Sequence, residues 1–215
     1  MIGDKLIYHS TYKQITNLVM SELKDNLNKE HRICISVGGE SGCGKTSLSY
    51  ALLKDIEETT NLRGFIFHAD DYFILPPKDN HNNRLEDISN VGIHEVKLKL
   101  LDSHIDDFMK GKTVLKKPLV IYDENVILEE RVNCLDYDFC LVEGTYAMLL
   151  EKPNYKVFME INYQDTRASR LERGRDIIDD FAEQVLEIEH QIVKKHKELA
   201  NVSMDKKFNI INLKK

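Results

Sequence analysis

The spacing of apolar positions changes several times along the chain, and each change marks an element. Over residues 11–30, Ile15, Leu18, Val19, Leu23 and Leu27 recur at helical spacing, which predicts an amphipathic helix packed on the body of the protein. The run "RICISVGG" that follows is short, nearly uncharged and rich in β-branched residues, as expected of a strand buried on both faces. "KTSLSYALLKDIEETT" then returns to the helical period.

The alternation continues. "GFIFHAD" at 64–70, "YDFCLVEG", "YKVFMEINY" and "FNIINL" read as four further strands. "DYFILPPKDNHNNRLEDISNVG" reads as a long polar loop carrying Pro76 and Pro77, and "IHEVKLKLLDSHIDDFMKG" as a helix over 93–110 closed by Gly111. "TVLKKPLVIYDENVILEERVN" has the pattern of a strand pair or hairpin, and its proline and mixed polarity predict an edge position. Helices fill the interval from 165 to 200. Strands alternating with helices predict an α/β fold, a doubly wound parallel sheet covered on both faces. With 215 residues, no repeat and no Gly/Ser-rich linker, residues 1–215 are expected to form a single domain, with 1–30 packed on it.

Composition narrows the partners. Thirty basic against 36 acidic residues give a net charge of −6, with no basic footprint of the kind nucleic acid requires. No apolar run approaches the roughly 18 residues of a spanning helix, and "MIGDKLIYHS" lacks the basic and apolar regions of a signal peptide, so no membrane partner is expected. Four cysteines without paired spacing point to a reducing cytoplasm. A homo-oligomer stays open.

The chemistry begins at Gly39-Glu40-Ser41-Gly42-Cys43-Gly44-Lys45-Thr46, which satisfies G-x-x-x-x-G-K-[ST] between a predicted strand and a predicted helix. Its glycines let backbone N–H groups turn inward toward phosphate oxygens, where the following helix adds its positive dipole end. Lys45 is suited to the β and γ phosphates and the Thr46 hydroxyl to Mg²⁺. Cys43, near a helix N-terminus, is placed where a thiol is easily ionised.

Glu143 closes an apolar run, at the carboxyl end of a strand where open α/β sheets bind ligands; it suits Mg²⁺ or a metal-bound water. Asp70 and Asp71 end another strand, and on an extended segment only one of them faces the crevice, where it would orient a hydroxyl and take its proton. Arg167, Arg170, Arg173 and Arg175 crowd "DTRASRLERGRD", and guanidinium groups suit the charge of a transferring phosphoryl group.

"GESGCGKT", "DDYF", "VEG" and "DTRASRLERGRD", in that order over roughly residues 32–195, resemble the uridine kinase and phosphoribulokinase-like branch of P-loop kinases. The resemblance implies a nucleoside-kinase-like P-loop NTPase fold with a short arginine lid at 165–176, ATP and Mg²⁺ as cofactors, and a small-molecule hydroxyl as acceptor. It implies Asp70, Lys45 and Arg173 as catalytic residues. It implies nucleotide contacts from Gly39, Glu40, Ser41, Gly42, Cys43, Gly44, Lys45, Thr46 and Ser47 with Arg170 and Arg173, acceptor contacts from Asp70, Tyr72, Tyr122 and Arg175, and metal contacts from Thr46 and Glu143. The chain departs from uridine kinases in three places. "SNVGIHEV" stands where they carry Asp-His-Pro, "DENVI" follows Tyr122 where they carry a histidine, and the arginine lid is shorter. His94 and Glu95 are the residues available to replace the missing ribose contacts, and His81 and Arg84 lie in the long loop. A kinase for a nucleoside such as uridine or cytidine is the leading expectation. A kinase for another acceptor, and a nucleotide-hydrolysing switch using the 71–92 loop to bind a protein, are the alternatives.

Overall fold

The computed structural model describes residues 6, 8–28, 30–173 and 179–213. Its centre is a six-stranded sheet in the order β2-β5-β1-β6-β7-β8, formed by β1 (Cys34–Gly39), β2 (Gly64–His68), β5 (Phe139–Gly144), β6 (Tyr155–Met159), β7 (Val202–Met204) and β8 (Ile210–Leu213). The pairs β2/β5, β5/β1, β1/β6 and β6/β7 are parallel, and only β8 runs antiparallel. Every residue of β1 and of β5 is buried, which is why both read as continuous apolar runs rather than alternating ones.

The two faces of the sheet bury separate cores, divided by the two-residue period of the strands. Ile35, Val37, Leu141, Val157 and Met159 point to the side covered by α1 (Tyr12–Glu22) and α2 (Lys45–Thr60). Cys34, Cys140, Val142 and Phe158 point to the side covered by α4 (Leu98–Met109). Each fully buried aliphatic or aromatic side chain contributes about 1.5–3 kcal/mol relative to exposure, so the sheet is held from both sides. Helix α1 is pinned to α2 by Asp55, which accepts hydrogen bonds from Thr16 Oγ1 at 2.5 Å and Lys13 Nζ at 2.8 Å.

Four features differ from the sequence reading. The polar stretch expected to be a loop contains α3 (Pro77–Glu86), which opens on a proline at its first turn and places Asp79 early and Arg84 late, as the helix dipole favours. It lacks an apolar stripe and is held by polar contacts, Asn80 and Arg84 both bonding Glu95. Helix α4 starts at Leu98, and residues Ile93–Glu95 before it form a separate tight turn. Strands β3 (Val114–Ile121) and β4 (Val126–Asn133) pair with each other in a sheet of their own, not at an edge of the main one. Strand β7 is too short to show a pattern and was not anticipated. The remaining helices are α5 (Arg167–Arg173) and α6 (Asp180–Val193). Among the described residues no helix is long and apolar enough to cross a membrane.

Candidate active site

The carboxyl ends of β1, β2 and β5 meet at one crevice, and the loop from Gly39 to Thr46 lies over it as β1 passes into α2. Gly42 and Gly44 adopt φ of +78° and +96°, a region that disfavours side chains. A Cβ on Gly42 would lie 2.8 Å from Arg170 Cγ, and one on Gly44 2.9 Å from Tyr12 Oη. The loop therefore presents bare backbone. Lys45 is buried at the start of α2, and its Nζ donates to the Glu40 carbonyl at 2.9 Å, folded back onto the loop. Thr46 sits half-buried beside it in the first turn.

Glu40 turns its carboxylate away from the loop interior. Its Oε2 accepts from Tyr163 N and its Oε1 pairs with His190 Nδ1, both at 2.7 Å. Thr166 Oγ1 adds a bond of 3.0 Å to the Ser41 carbonyl. The loop is thus tied to the chain after β6 and to α6. Cys43 is buried, with its Sγ 4.0 Å from Met159 Sδ, and burial pushes its thiol up despite the nearby Lys45. This overturns the expectation of an easily ionised thiol: desolvation outweighs the helix dipole there.

Across the crevice stand three titratable side chains. Glu143 is buried at the end of β5 and pairs with His68 Nδ1 at 2.7 Å, its direct neighbour in register on β2. Burial alone would raise the Glu143 carboxyl, but the His68 hydrogen bond and the charges of His68 and Lys45 outweigh it and hold the carboxyl below its ordinary value. Asp70 behaves oppositely. Burial, then the negative charge of Glu143, pushes its carboxyl up to about 6, with Lys45 and His68 opposing. The two aspartates lie in a tight helical turn, Ala69–Tyr72, instead of an extended segment. They part nonetheless: Asp71 accepts from Lys117 Nζ and Val120 N, both at 3.0 Å, on β3, while Asp70 stays in the field of Lys45 and Glu143.

Beyond Ser41 the crevice continues as a cavity of about 570 Å³ between α3, α6 and the β3–β4 turn, lined by residues that include Tyr122, Arg84, Phe181, Leu186 and Glu189. Arg170 closes its inner end; it is 1% exposed, donates to the Tyr163 carbonyl at 2.9 Å and lies 3.7 Å from Glu183. Arg167, on the same helix, is exposed and also reaches Glu183, at 3.6 Å.

The phosphoribulokinase / uridine kinase family model matches residues 34–196. The chain belongs to that family. The uridine kinase of Ureaplasma urealyticum serovar 10 is 27% identical over 191 residues, spanning 83% of this chain and 90% of that one. The bifunctional alpha-galactosidase/sucrose kinase of Mediterraneibacter gnavus is 26% identical over 197 residues, spanning 83% of this chain and 20% of its own length. In fold, the phosphoribulokinase from Rhodobacter spheroides superposes with a TM-score of 0.62 at 13% identity, covering 83% of this chain and 71% of that chain.

In this family member the structure brings Lys45, Asp70, Glu143 and the phosphate loop together, and sets Ser41, Tyr122 and Arg170 around the cavity. Tyr72, expected to touch the acceptor, instead packs in the core, fully buried, with its hydroxyl 2.9 Å from His104 Nδ1. The tight turn at Ala69–Tyr72 carries it beneath the sheet end. His94 is exposed, and Glu95 is buried in bonds to Asn80, Arg84 and Gly92, so Glu95 is committed to holding α3. The side chain of Arg173 and the whole of Arg175 lie outside the described residues. Sequence reasoning missed Lys117, Glu189 and His190, each of which stands in a segment that reads as ordinary amphipathic strand or helix.

The residues present fit a nucleoside triphosphate with a divalent cation. Bare backbone at Gly42 and Gly44, a buried ammonium group resting on a loop carbonyl, and a hydroxyl and a carboxylate as hard oxygen donors are the groups such a ligand uses.

Proposed function

We propose that this chain is an ATP-dependent kinase that moves the γ-phosphoryl group onto a hydroxyl of a small metabolite, with nucleosides such as uridine and cytidine first among the acceptors. The observation that carries this reading is the position of Asp70, in the turn after β2 and in the field of Lys45 and Glu143 beside the phosphate loop. Burial raises its carboxyl, which makes the carboxylate a better proton acceptor.

In this reading the acceptor oxygen forms a bond to the γ-phosphorus as the bond to the bridging oxygen breaks. ADP leaves, and the hydroxyl proton passes to the Asp70 carboxylate. Lys45 and the loop N–H groups hold the charge on the phosphates, and Arg170 with Arg173 supports it from the 165–176 lid. Thr46 and Glu143 would hold Mg²⁺, which supplies further charge neutralisation when bound. Positioning and electrostatics provide most of the acceleration in phosphoryl transfer. The reading treats residues 1–215 as one domain, and the four buried free cysteines suit a reducing cytoplasm.

A second acceptor class has its own support. The sucrose kinase relative and "SNVGIHEV" in place of Asp-His-Pro both favour a kinase for a sugar or another non-nucleoside. ADP release from ATP–Mg²⁺ against nucleosides, sugars, sugar phosphates and carboxylated alcohols decides between them. Strong stimulation by one compound is expected. A flat panel with steady acceptor-independent hydrolysis would replace the kinase with a hydrolysing switch.

A further inference from the structure

Helix α6 presents to the cavity an apolar face, Phe181, Ala182, Val185 and Leu186, interrupted by a single acid, Glu189. An acid at that position needs a reason, because a carboxylate in an apolar wall is costly unless it is paired. Arg84 of α3 supplies the pair. Its Nε and NH2 group grip Glu95 at 2.5 and 2.9 Å, and the NH2 group also donates to Glu189 Oε1 at 3.1 Å.

The two carboxylates on this guanidinium are not equivalent. Glu95 is saturated: one oxygen accepts from Arg84 and Asn80, the other from Arg84 and the Gly92 N–H. Among the described residues Glu189 has Arg84 as its one hydrogen-bond donor, through Oε1. Its second oxygen is left as an acceptor on the cavity wall.

Among the described residues, which leave out the side chain of Arg173 and the whole of Arg175, the charge balance points the same way. Arg84 carries one positive charge against two carboxylates, so it has none to spare for an anionic ligand. Arg170, at the inner end, faces Glu183 at 3.7 Å and keeps its Nε without a hydrogen-bond partner among the described residues, which suits the nucleotide phosphates that the kinase reading gives it. Lys78 and His81 also line the cavity but are exposed, where water screens them. Close by, the Tyr146 hydroxyl is buried without a hydrogen-bond partner among the described residues, in the field of the same two carboxylates.

We propose that this cavity is the acceptor site for an uncharged, hydroxyl-bearing molecule with one apolar face, and that Glu189 determines its specificity by accepting a hydrogen bond from an acceptor hydroxyl that is not the one phosphorylated. The proposal rests on the kinase reading for the word acceptor, but not for the binding itself. It places sugar phosphates and carboxylated alcohols outside the substrate range.

The test is calorimetric and kinetic, on the full chain. Uridine, cytidine, D-fructose and sucrose serve as uncharged probes, and D-fructose 6-phosphate, D-ribulose 5-phosphate and D-glycerate as anionic ones. Wild-type protein should bind an uncharged probe and none of the anionic ones. Glu189→Gln keeps the shape and an oxygen for Arg84 but loses the charge; it should weaken that probe about 10- to 100-fold, the scale of a hydrogen bond to a charged group. Where turnover is measurable, the loss should fall on the acceptor KM while the KM for ATP stays within about twofold. Phe181→Ala, which leaves the ion pairs intact, should also weaken the probe. Binding of an anionic probe, binding of no uncharged probe, or an uncharged probe that binds Glu189→Gln as tightly as wild type overturns the proposal. Probe binding lost in Glu189→Gln, with no turnover in any protein, upholds the site and refutes the kinase reading instead.

Discussion

Lys117 and Asp71 meet at 3.0 Å with their side chains 3% and 2% exposed. The pair joins the β3–β4 hairpin to the turn that carries Asp70, and Lys117 is completed by Glu130 at 2.8 Å. By holding Asp71 on the hairpin, it leaves Asp70 as the aspartate that faces the phosphate loop. Breaking a buried pair from one side leaves an uncompensated charge, which costs about 3–5 kcal/mol. Lys117→Met should lose stability on that scale in urea titration. A loss under about 1 kcal/mol, the range of exposed pairs, would show that water reaches Asp71.

Asp70→Asn separates binding from transfer. ATP affinity should be retained, while turnover with the identified acceptor falls about 10²-fold or more, the usual range for a lost general base. Unchanged turnover would remove Asp70 from the mechanism.

The same substitution has a consequence for stability. The Asp70 carboxyl is raised in the folded protein from an ordinary 3.8 to about 6, so the folded state binds its proton more tightly than the unfolded state. That contribution is fully present below about pH 4 and is lost as pH rises through about 6. In metal-free buffer Asp70→Asn should therefore be more stable than wild type at about pH 8, and the advantage should vanish near pH 4. A variant less stable than wild type at pH 8 would contradict the shift.

His196 predicts the opposite slope. It is buried, its Nδ1 has no hydrogen-bond partner among the described residues, and burial lowers it from 6.5 to about 4. Stability is present above 6.5 and falls as pH drops toward 4, because the unfolded chain takes the proton first. His196→Leu should flatten that part of the urea-midpoint profile; an unchanged acid slope would assign it to other groups.

Gly42→Ala tests the bare backbone. The left-handed conformation costs about 1–2 kcal/mol for a residue with a Cβ, and that Cβ would press on Arg170 Cγ at 2.8 Å. ATP binding measured by calorimetry should weaken sharply; retained affinity would show that the loop can rearrange around the methyl group.

The sequence was most legible where one physical rule acts alone. Strands β1 and β5 are buried on both faces and so spell uninterrupted apolar runs, and α2 is bounded as its flanking Gly44 and Asn61 allow, both left-handed. Helix α3 was hidden because its anchors lie outside it: Asn80 and Arg84 depend on Glu95, which is 15 and 11 residues away. Tyr72 was misplaced because its motif fixes residue type and leaves side-chain direction to a turn. Glu189 gave no signal, since an acid on an amphipathic helix is ordinary until the structure shows which wall it faces.

Glu189 and His190 are consecutive on α6, yet one bonds Arg84 at the cavity wall and the other bonds Glu40 of the phosphate loop. A single helix thus serves as a shared partition between two chambers. Where a ligand in one chamber shifts this partition, linkage requires any effect on the other to be mutual: the factor by which a ligand of the phosphate loop alters binding in the cavity equals the factor by which a cavity ligand alters binding at the loop.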